Sequence, residues 1–185
     1  MLLNKLLYAT AAINFRKCEV SSKVNIDILI GFLKLHFDVV GSGVGRAEAA
    51  RCLGDRRSKR AIEPLIEALD DEYMIVRGAA AMALGNIRDK RGVEPVIRSL
   101  KDVEESVRLS AAIALGDIGD ATAVEPLTEA LGDVYRLVRR AAAIALGKIG
   151  NARAVEPLTQ ALADVDGEVR EAAKEALKKI EAKES

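Results

Sequence analysis

Four aspartates recur at a fixed distance ahead of four arginines: Asp71, Asp102, Asp133 and Asp164 precede Arg77, Arg108, Arg139 and Arg170 by six residues each. Such a constellation can do one of two things. The arginines can recognise an anion, because a planar guanidinium offers paired donors to phosphate or carboxylate. Alternatively, acid and base satisfy each other, with the aspartate also accepting from free N–H groups at a helix start. A single exposed pair contributes only about 0–1 kcal/mol, whereas several in register form a network, so repetition favours the structural role. Other reactive side chains are scarce. His36 is the only histidine, and Cys18 and Cys52 are the only cysteines, with no C-x-x-C spacing. One histidine supplies neither a His-rich metal site nor a His-based catalytic pair. Two isolated thiols make no disulfide framework and read as reduced thiols of a cytoplasmic protein. No catalytic set, metal or cofactor is expected.

The elements that position these residues follow from composition and period. Of the 185 residues, half are apolar, 3% aromatic and 30% charged, with 28 basic residues against 28 acidic. So much apolar surface argues against disorder. The charge balance argues against a general nucleic-acid or anionic-membrane binder, which carries a basic excess. No run approaches the roughly 18 apolar residues of a membrane span. The start, MLLNKLLYATAA, lacks a basic stretch ahead of its apolar part and carries Asn4 and Lys5 within it, unlike a signal peptide.

All four prolines, Pro64, Pro95, Pro126 and Pro157, are spaced by 31 residues, and each follows a glutamate. The same step links Leu69, Leu100, Leu131 and Leu162, then Val76, Val107, Val138 and Val169, then Leu84, Leu115, Leu146 and Leu177. The units are 61–91, 92–122, 123–153 and 154–185. Each reads as two helices. The first, such as AVEPLTEAL (123–131), carries proline in its opening turn, where the missing N–H costs nothing. Its Val124, Leu127 and Leu131 make one apolar stripe. The second, such as RLVRRAAAIALGKI (136–149), buries Val138, Ala142, Ala145, Leu146 and Ile149. Gly119 and Gly150 follow the second helix, where a left-handed residue is favoured. The small residues Ala80, Ala83 and Gly85, with their counterparts in later units, let helices approach closely. Neither helix hides its stripe alone, so the pairs must stack. The fold class is all-α: a right-handed α-solenoid of stacked antiparallel helix pairs.

The pattern VEPL-x-x-AL-x-D-x-x-x-x-VR-x-x-AA-x-AL-G-x-IG resembles the short HEAT-like repeats named after the phycobiliprotein lyases. Good copies are VEPVIRSLKDVEESVRLSAAIALGDIG (93–119) and VEPLTEALGDVYRLVRRAAAIALGKIG (124–150). The ankyrin TPLH box and the tetratricopeptide Trp/Tyr signature are absent. The resemblance implies that the Asp–Arg pairs form a ladder along the stack, that second helices line a concave face, and that partners lie there. It implies little about activity, since similar repeats build scaffolds, chromophore lyase subunits, an iron hydroxylase and DNA glycosylases. The hydroxylases bind metal through repeated His–Glu pairs, which this chain lacks.

Function is therefore sought in positions that vary between units. On the second helices these are Met74, Ile75, Gly78, Met82 and Asn86, then Glu105, Ser106, Leu109, Ile113 and Asp117. The third unit has Arg136, Leu137, Arg140, Ile144 and Lys148, and the fourth Glu168, Glu171, Glu175 and Lys179. The row Met82, Ile113, Ile144 either faces a groove suited to an amphipathic helix or loop of another protein, or packs between neighbouring helices. Tyr73, Met74 and Tyr135 fit anchoring contacts at the rim or are solitary surface residues. The leading expectation is a non-catalytic protein-interaction scaffold. The alternatives are a phycobilin-lyase-like subunit and a DNA-binding protein using Arg136, Arg139, Arg140, Lys148 and RRSKR (56–60).

The ends depart from the pattern. Arg46, Ala49, Cys52, Leu53 and Gly54 lie 31 residues before Arg77, Ala80, Ala83, Leu84 and Gly85. Residues 29–60 thus read as a divergent repeat with one residue inserted in GSG (41–43). Residues 1–28 have no counterpart and read as a tail or capping helix. VNIDILI (24–30) alternates like a strand, but no partner strand is evident and a helix is preferred. MLLNKLLY and FLKLHF could pair two chains as a homodimer. In the last unit, Lys174 and Lys178 replace alanine and glycine, which reads as a solvated cap.

Overall fold

The computed structural model describes residues 25–34 and 43–184. The expectations for the N-terminal tail, for Cys18 and His36 and for the first two residues of GSG lie outside the described residues. What is described is helical throughout, with short connections. The helices are α1 Ile26–Leu33, α2 Val44–Asp55, α3 Ile62–Glu67, α4 Met74–Ile87, α5 Val93–Ser99, α6 Glu105–Ile118, α7 Val124–Ala130, α8 Arg136–Ile149, α9 Val155–Ala161 and α10 Gly167–Glu184. From α3 onward, short first helices alternate with long second helices, as the 31-residue period requires. The alternating segment near residue 26 is helix, not strand. Asn25 caps α1, its Oδ1 accepting the Asp27 N–H at 3.0 Å.

Local chemistry sets the helix ends. A single 3-10 turn leads into each of the four proline-bearing helices. Asp89, Asp120 and Asn151 start three of these turns, accepting the N–H groups of Arg91, Thr122 and Arg153. The prolines fall in the opening turn of α3, α5, α7 and α9, where N–H groups have no helical acceptor in any case. Gly119 and Gly150 end α6 and α8 with φ of +75° and +69°. The matching residue after α4 is Arg88, held at φ +57° in the same left-handed region.

The core runs without interruption along the stack. Leu65, Val96, Leu127 and Leu158 from first helices meet Val76, Leu84, Leu115 and Leu146 from second helices, all essentially inaccessible. Second helices pack on one another in series, α2 on α4, α4 on α6, α6 on α8 and α8 on α10, whereas the proline-bearing first helices pack chiefly on the second helix of their own unit. Glycine draws the second helices together. A Cβ placed on Gly54, Gly85, Gly116 or Gly147 would lie 2.6–2.8 Å from the Cα of Ala83, Ala114, Ala145 or Ala176.

In the last unit this packing stops. Lys174 and Lys178 are exposed, and Leu177 is half-buried where its counterparts are buried. Lys183 instead folds back over the end of α8, its Nζ donating to the carbonyls of Lys148 and Ile149 at 3.2 and 3.1 Å. At the other end, Phe32 and Leu33 of the FLKLHF segment are buried within the chain.

Candidate functional site

The Asp–Arg constellation forms a ladder, with a different pairing from the one the six-residue spacing suggests. Arg77, Arg108 and Arg139 each reach the aspartate 25 residues ahead, in the following unit, and grip it with two parallel bonds. Arg77 Nε and Nη2 meet Asp102 at 2.7 and 2.9 Å, Arg108 meets Asp133 at 2.7 and 3.2 Å, and Arg139 meets Asp164 at 2.8 and 2.9 Å. The six-residue relation survives through the backbone: Nη1 of Arg77, Arg108 and Arg139 donates to the carbonyls of Asp71, Asp102 and Asp133. Each aspartate also accepts the N–H two residues on, at Tyr73, Glu104, Tyr135 and Asp166.

Every guanidinium in these rungs therefore ties two units together, and most of each pair is shielded from water. Arg108 and Asp133 side chains are 12% and 11% exposed. For Asp102 and Asp133, burial is the largest influence and pushes the carboxyl upward. The arginine and the backbone N–H together outweigh it, and both groups sit below the usual carboxylate range. Asp164 is held low mainly by the Arg139 guanidinium. The aspartates in turn raise Arg77, Arg108 and Arg139. These arginines are committed within the chain, which leaves little for an external anion.

One further ladder residue lies in the divergent unit. Arg46 grips Asp71 at 2.8 and 3.1 Å and is itself buried. Its signal was the 31-residue step to Arg77. A second set of contacts had weaker signals: Lys90 approaches Asp120 at 3.3 Å, and Lys59 approaches Asp89 at 4.0 Å, on the first-helix side. The two rim tyrosines also belong to the ladder, the Tyr73 and Tyr135 rings lying 5.3 and 5.4 Å from the guanidinium carbons of Arg46 and Arg108. That distance suits a cation–π contact.

The variable residues of the second helices share one face. Met74 and Leu137 are exposed at 45% and 44%. Ile75, Met82, Leu109, Ile113 and Ile144 are half-buried. Ile113 and Ile144 do both things the pattern allowed: they pack on the core and line shallow depressions between helices. A depression of about 230 Å³ lies between α6 and α8, floored by Leu109, Ile113, Leu137, Ala141 and Ile144. Its neighbour, about 310 Å³, lies between α8 and α10, with Ile144, Ala172 and Ala176 below and Glu168, Glu171 and Glu175 at the rim. The basic residues here are not free. Lys148 pairs with Asp117 at 2.8 Å, Arg140 with Glu168 at 3.6 Å, and Arg136 with Asp166 and Glu168 at 3.8 and 3.6 Å.

A stack of near-identical helix pairs with one shared core and an inter-unit Arg–Asp ladder has direct counterparts. The model of the family described as HEAT repeats matches residues 41–107 and 93–178. The chain belongs to the HEAT-repeat family. Among solved structures, the complex of CpcE and CpcF of phycocyanin lyase from Nostoc sp. PCC7120 is 27% identical over 85% of this chain, with a TM-score of 0.74. This HEAT-repeat chain spans 65% of the length of that one. An engineered protein is 26% identical over 85% of this chain and 79% of its own, with a TM-score of 0.65. A designed armadillo repeat protein in complex with the peptide (KR)4 is 21% identical over 84% of this chain and 81% of its own, at a TM-score of 0.69. No curated protein matches. Among the described residues, no helix is long and apolar enough to cross a membrane.

Proposed function

We propose that this HEAT-repeat protein is a non-catalytic scaffold that binds a segment of another protein along its second-helix face. One observation carries the reading: large aliphatic side chains are presented side by side, unit after unit, over a rigid Ala/Gly-packed floor. Leu109, Ile113, Leu137 and Ile144 are not isolated exposed residues but the lining of adjoining depressions. Second helices pack on one another in series, glycine against alanine at each seam, so a partner lying across them touches several units at once. The pairing of Arg136, Arg140 and Lys148 with acids favours a protein partner over a nucleic-acid backbone.

The test begins with capture of bound protein from the native lysate and continues with the purified pair. The Ile113→Glu, Ile144→Glu double variant is expected to weaken binding at least tenfold while keeping the wild-type circular dichroism. Undiminished binding by a folded double variant refutes the assignment to this face. The likeness to a phycocyanin lyase complex at 27% identity favours one second reading, a lyase-like subunit. Transfer of a bilin to an acceptor protein in the presence of this chain would establish it in place of the scaffold.

A further inference from the structure

We propose that the turns joining α2 to α3 and α4 to α5 form a second docking surface, which takes an extended acidic segment of another protein with its carboxylates on Arg57 and Arg88.

The turns that follow the second helices are equivalent from unit to unit and read RSKR (57–60), RDKR (88–91), GDAT (119–122) and GNAR (150–153). Their first residue is left-handed in each case: Arg57 and Arg88 take φ of +49° and +57°, Gly119 and Gly150 φ of +75° and +69°. Glycine reaches this backbone freely, and arginine reaches it only at a cost. Local structure alone therefore selects glycine, as the later turns do. Arginines in two neighbouring units are kept against that cost, and a residue held in a disfavoured conformation points to a use for its side chain.

Among the described residues that use is not internal. Arg57 and Arg88 are exposed, and neither meets a described carboxylate. The other cations of these turns are matched. Lys59 and Lys90 approach Asp89 and Asp120 at 4.0 and 3.3 Å, Arg91 pairs with Asp89 at 3.0 Å, and Arg60 pairs with Asp27. The recognition groups are therefore the two strained arginines.

Their spacing sets the class of partner. α2 packs on α4, and packed helices lie about 8–10 Å apart, so equivalent residues at their ends repeat at that interval. A polyproline II segment has three residues per turn and rises about 3.1 Å per residue, which puts side chains i and i+3 on one side about 9 Å apart. Acids at every third position thus reach both guanidinium groups, each of which offers paired donors to a carboxylate. A nucleic-acid duplex fits less well, because its charges follow one another at about 1.7 Å along the axis. So dense an anion would also meet Asp27, Asp55 and Glu63, exposed acids that stand among these cations.

The probe is a fluorescein-labelled peptide of about 15 residues with glutamate at every third position and proline and serine between, a composition that favours polyproline II. It is titrated against the full chain by anisotropy at low salt. Saturable, salt-sensitive binding is expected, weakening at least threefold in Arg88→Gly and at least tenfold in Arg57→Gly, Arg88→Gly. Glycine is at ease in both turns, so these variants should be at least as stable as wild type by urea titration, and lost binding is then not lost fold. Gly119→Arg should tighten binding, since a Cβ there meets nothing within 4 Å and the row gains a third unit. The Ile113→Glu, Ile144→Glu variant should bind the probe as wild type does, which separates this surface from the second-helix face. The proposal is overturned if the acidic peptide does not bind, or if a peptide with lysine in place of glutamate binds equally well. Equal affinity of the double glycine variant, no gain in a folded Gly119→Arg variant, or loss of binding in the second-helix variant overturns it too. Tighter binding of duplex DNA or of phosphatidylserine vesicles, displacing the peptide, would replace the acidic segment with a phosphate surface.

Discussion

The glycine seam allows a prediction whose sign can be worked out in advance. Gly116 sits inside α6, and a glycine inside a helix costs about 0.5–1 kcal/mol relative to alanine, so propensity alone makes Gly116→Ala stabilising. Packing acts the other way. The new methyl would lie 2.8 Å from Ala145 Cα and 2.9 Å from Ala145 Cβ. Ordinary carbon–carbon contact is about 3.5–4.0 Å, so α6 and α8 must part by about 1 Å. The obstacle is main chain, which cannot rotate aside, and overpacking of this kind costs about 1–3 kcal/mol. The net expectation is a loss of about 1–2 kcal/mol. Gly78→Ala provides the contrast. It lies inside α4, and its Cβ would meet the Ser110 Oγ at 3.3 Å, with the Ser110 Cβ and the Ser106 carbonyl oxygen at ordinary contact distances of 3.9 and 4.0 Å. That hydroxyl need give way by only a few tenths of an ångström and can keep its bond to the Ser106 carbonyl, now 2.8 Å, so the propensity gain of about 0.5–1 kcal/mol should survive. Urea titrations of wild type and both variants, followed by circular dichroism at 222 nm, read the two shifts in midpoint. A Gly116→Ala protein as stable as wild type would refute the claim that the second helices are held at glycine contact distance.

Three further outcomes are expected. Arg88→Gly should stabilise the protein by roughly 0.5–1 kcal/mol, because it relieves a left-handed backbone that Gly119 and Gly150 adopt freely; the urea midpoint is the check. Arg108→Gln should cost about 2–3 kcal/mol, since it leaves the largely buried Asp133 carboxylate unpaired, and adding Asp133→Asn should recover part of the loss in a double-mutant cycle. The lowered carboxyls of Asp102, Asp133 and Asp164 contribute stability that is present above the ordinary aspartate value near 3.9. That contribution is lost as pH falls through their lower folded values. Urea midpoints should therefore drop below about pH 4, and less steeply in Asp133→Asn; an unchanged pH slope in that variant would count against the ladder as the acid-sensitive element.

Helix existence and helix ends were legible in the sequence because local chemistry determines them. Residues 136–149 read as a helix and form one over the same span, bounded by a glycine that reaches positive φ at little cost. The ladder was legible as a period but not as a set of pairs. A repeat of 31 residues shows that an aspartate and an arginine recur together; it does not show which unit each side chain faces. The chain-adjacent reading placed Arg77 on Asp71, whereas the guanidinium takes that residue's carbonyl and gives its paired donors to Asp102. The same ambiguity hid Arg46, whose acid lies in the following unit, and it left Tyr73 and Tyr135 looking like free anchors when their rings lie against ladder arginines.

The second-helix face shows a different limit. A single-helix pattern places Ile113 and Ile144 on a flank, where packing against a neighbour and facing solvent appear as alternatives. In a stack they are not, because each flank residue has one side against the adjacent helix and another over the gap between them. That gap depends on the spacing of α6, α8 and α10, which is set by Gly116 against Ala145 and Gly147 against Ala176. The depressions therefore depend on residues that do not face them. Widening the Gly116 seam by about 1 Å should alter the hollow lined by Leu109, Ile113 and Leu137 without changing one of its lining side chains. Gly116→Ala thus carries a functional expectation as well as a stability one: a partner seated over that hollow should bind more weakly to the folded variant. Gly78→Ala, whose methyl meets backbone only at an ordinary 4.0 Å, should leave that affinity unchanged.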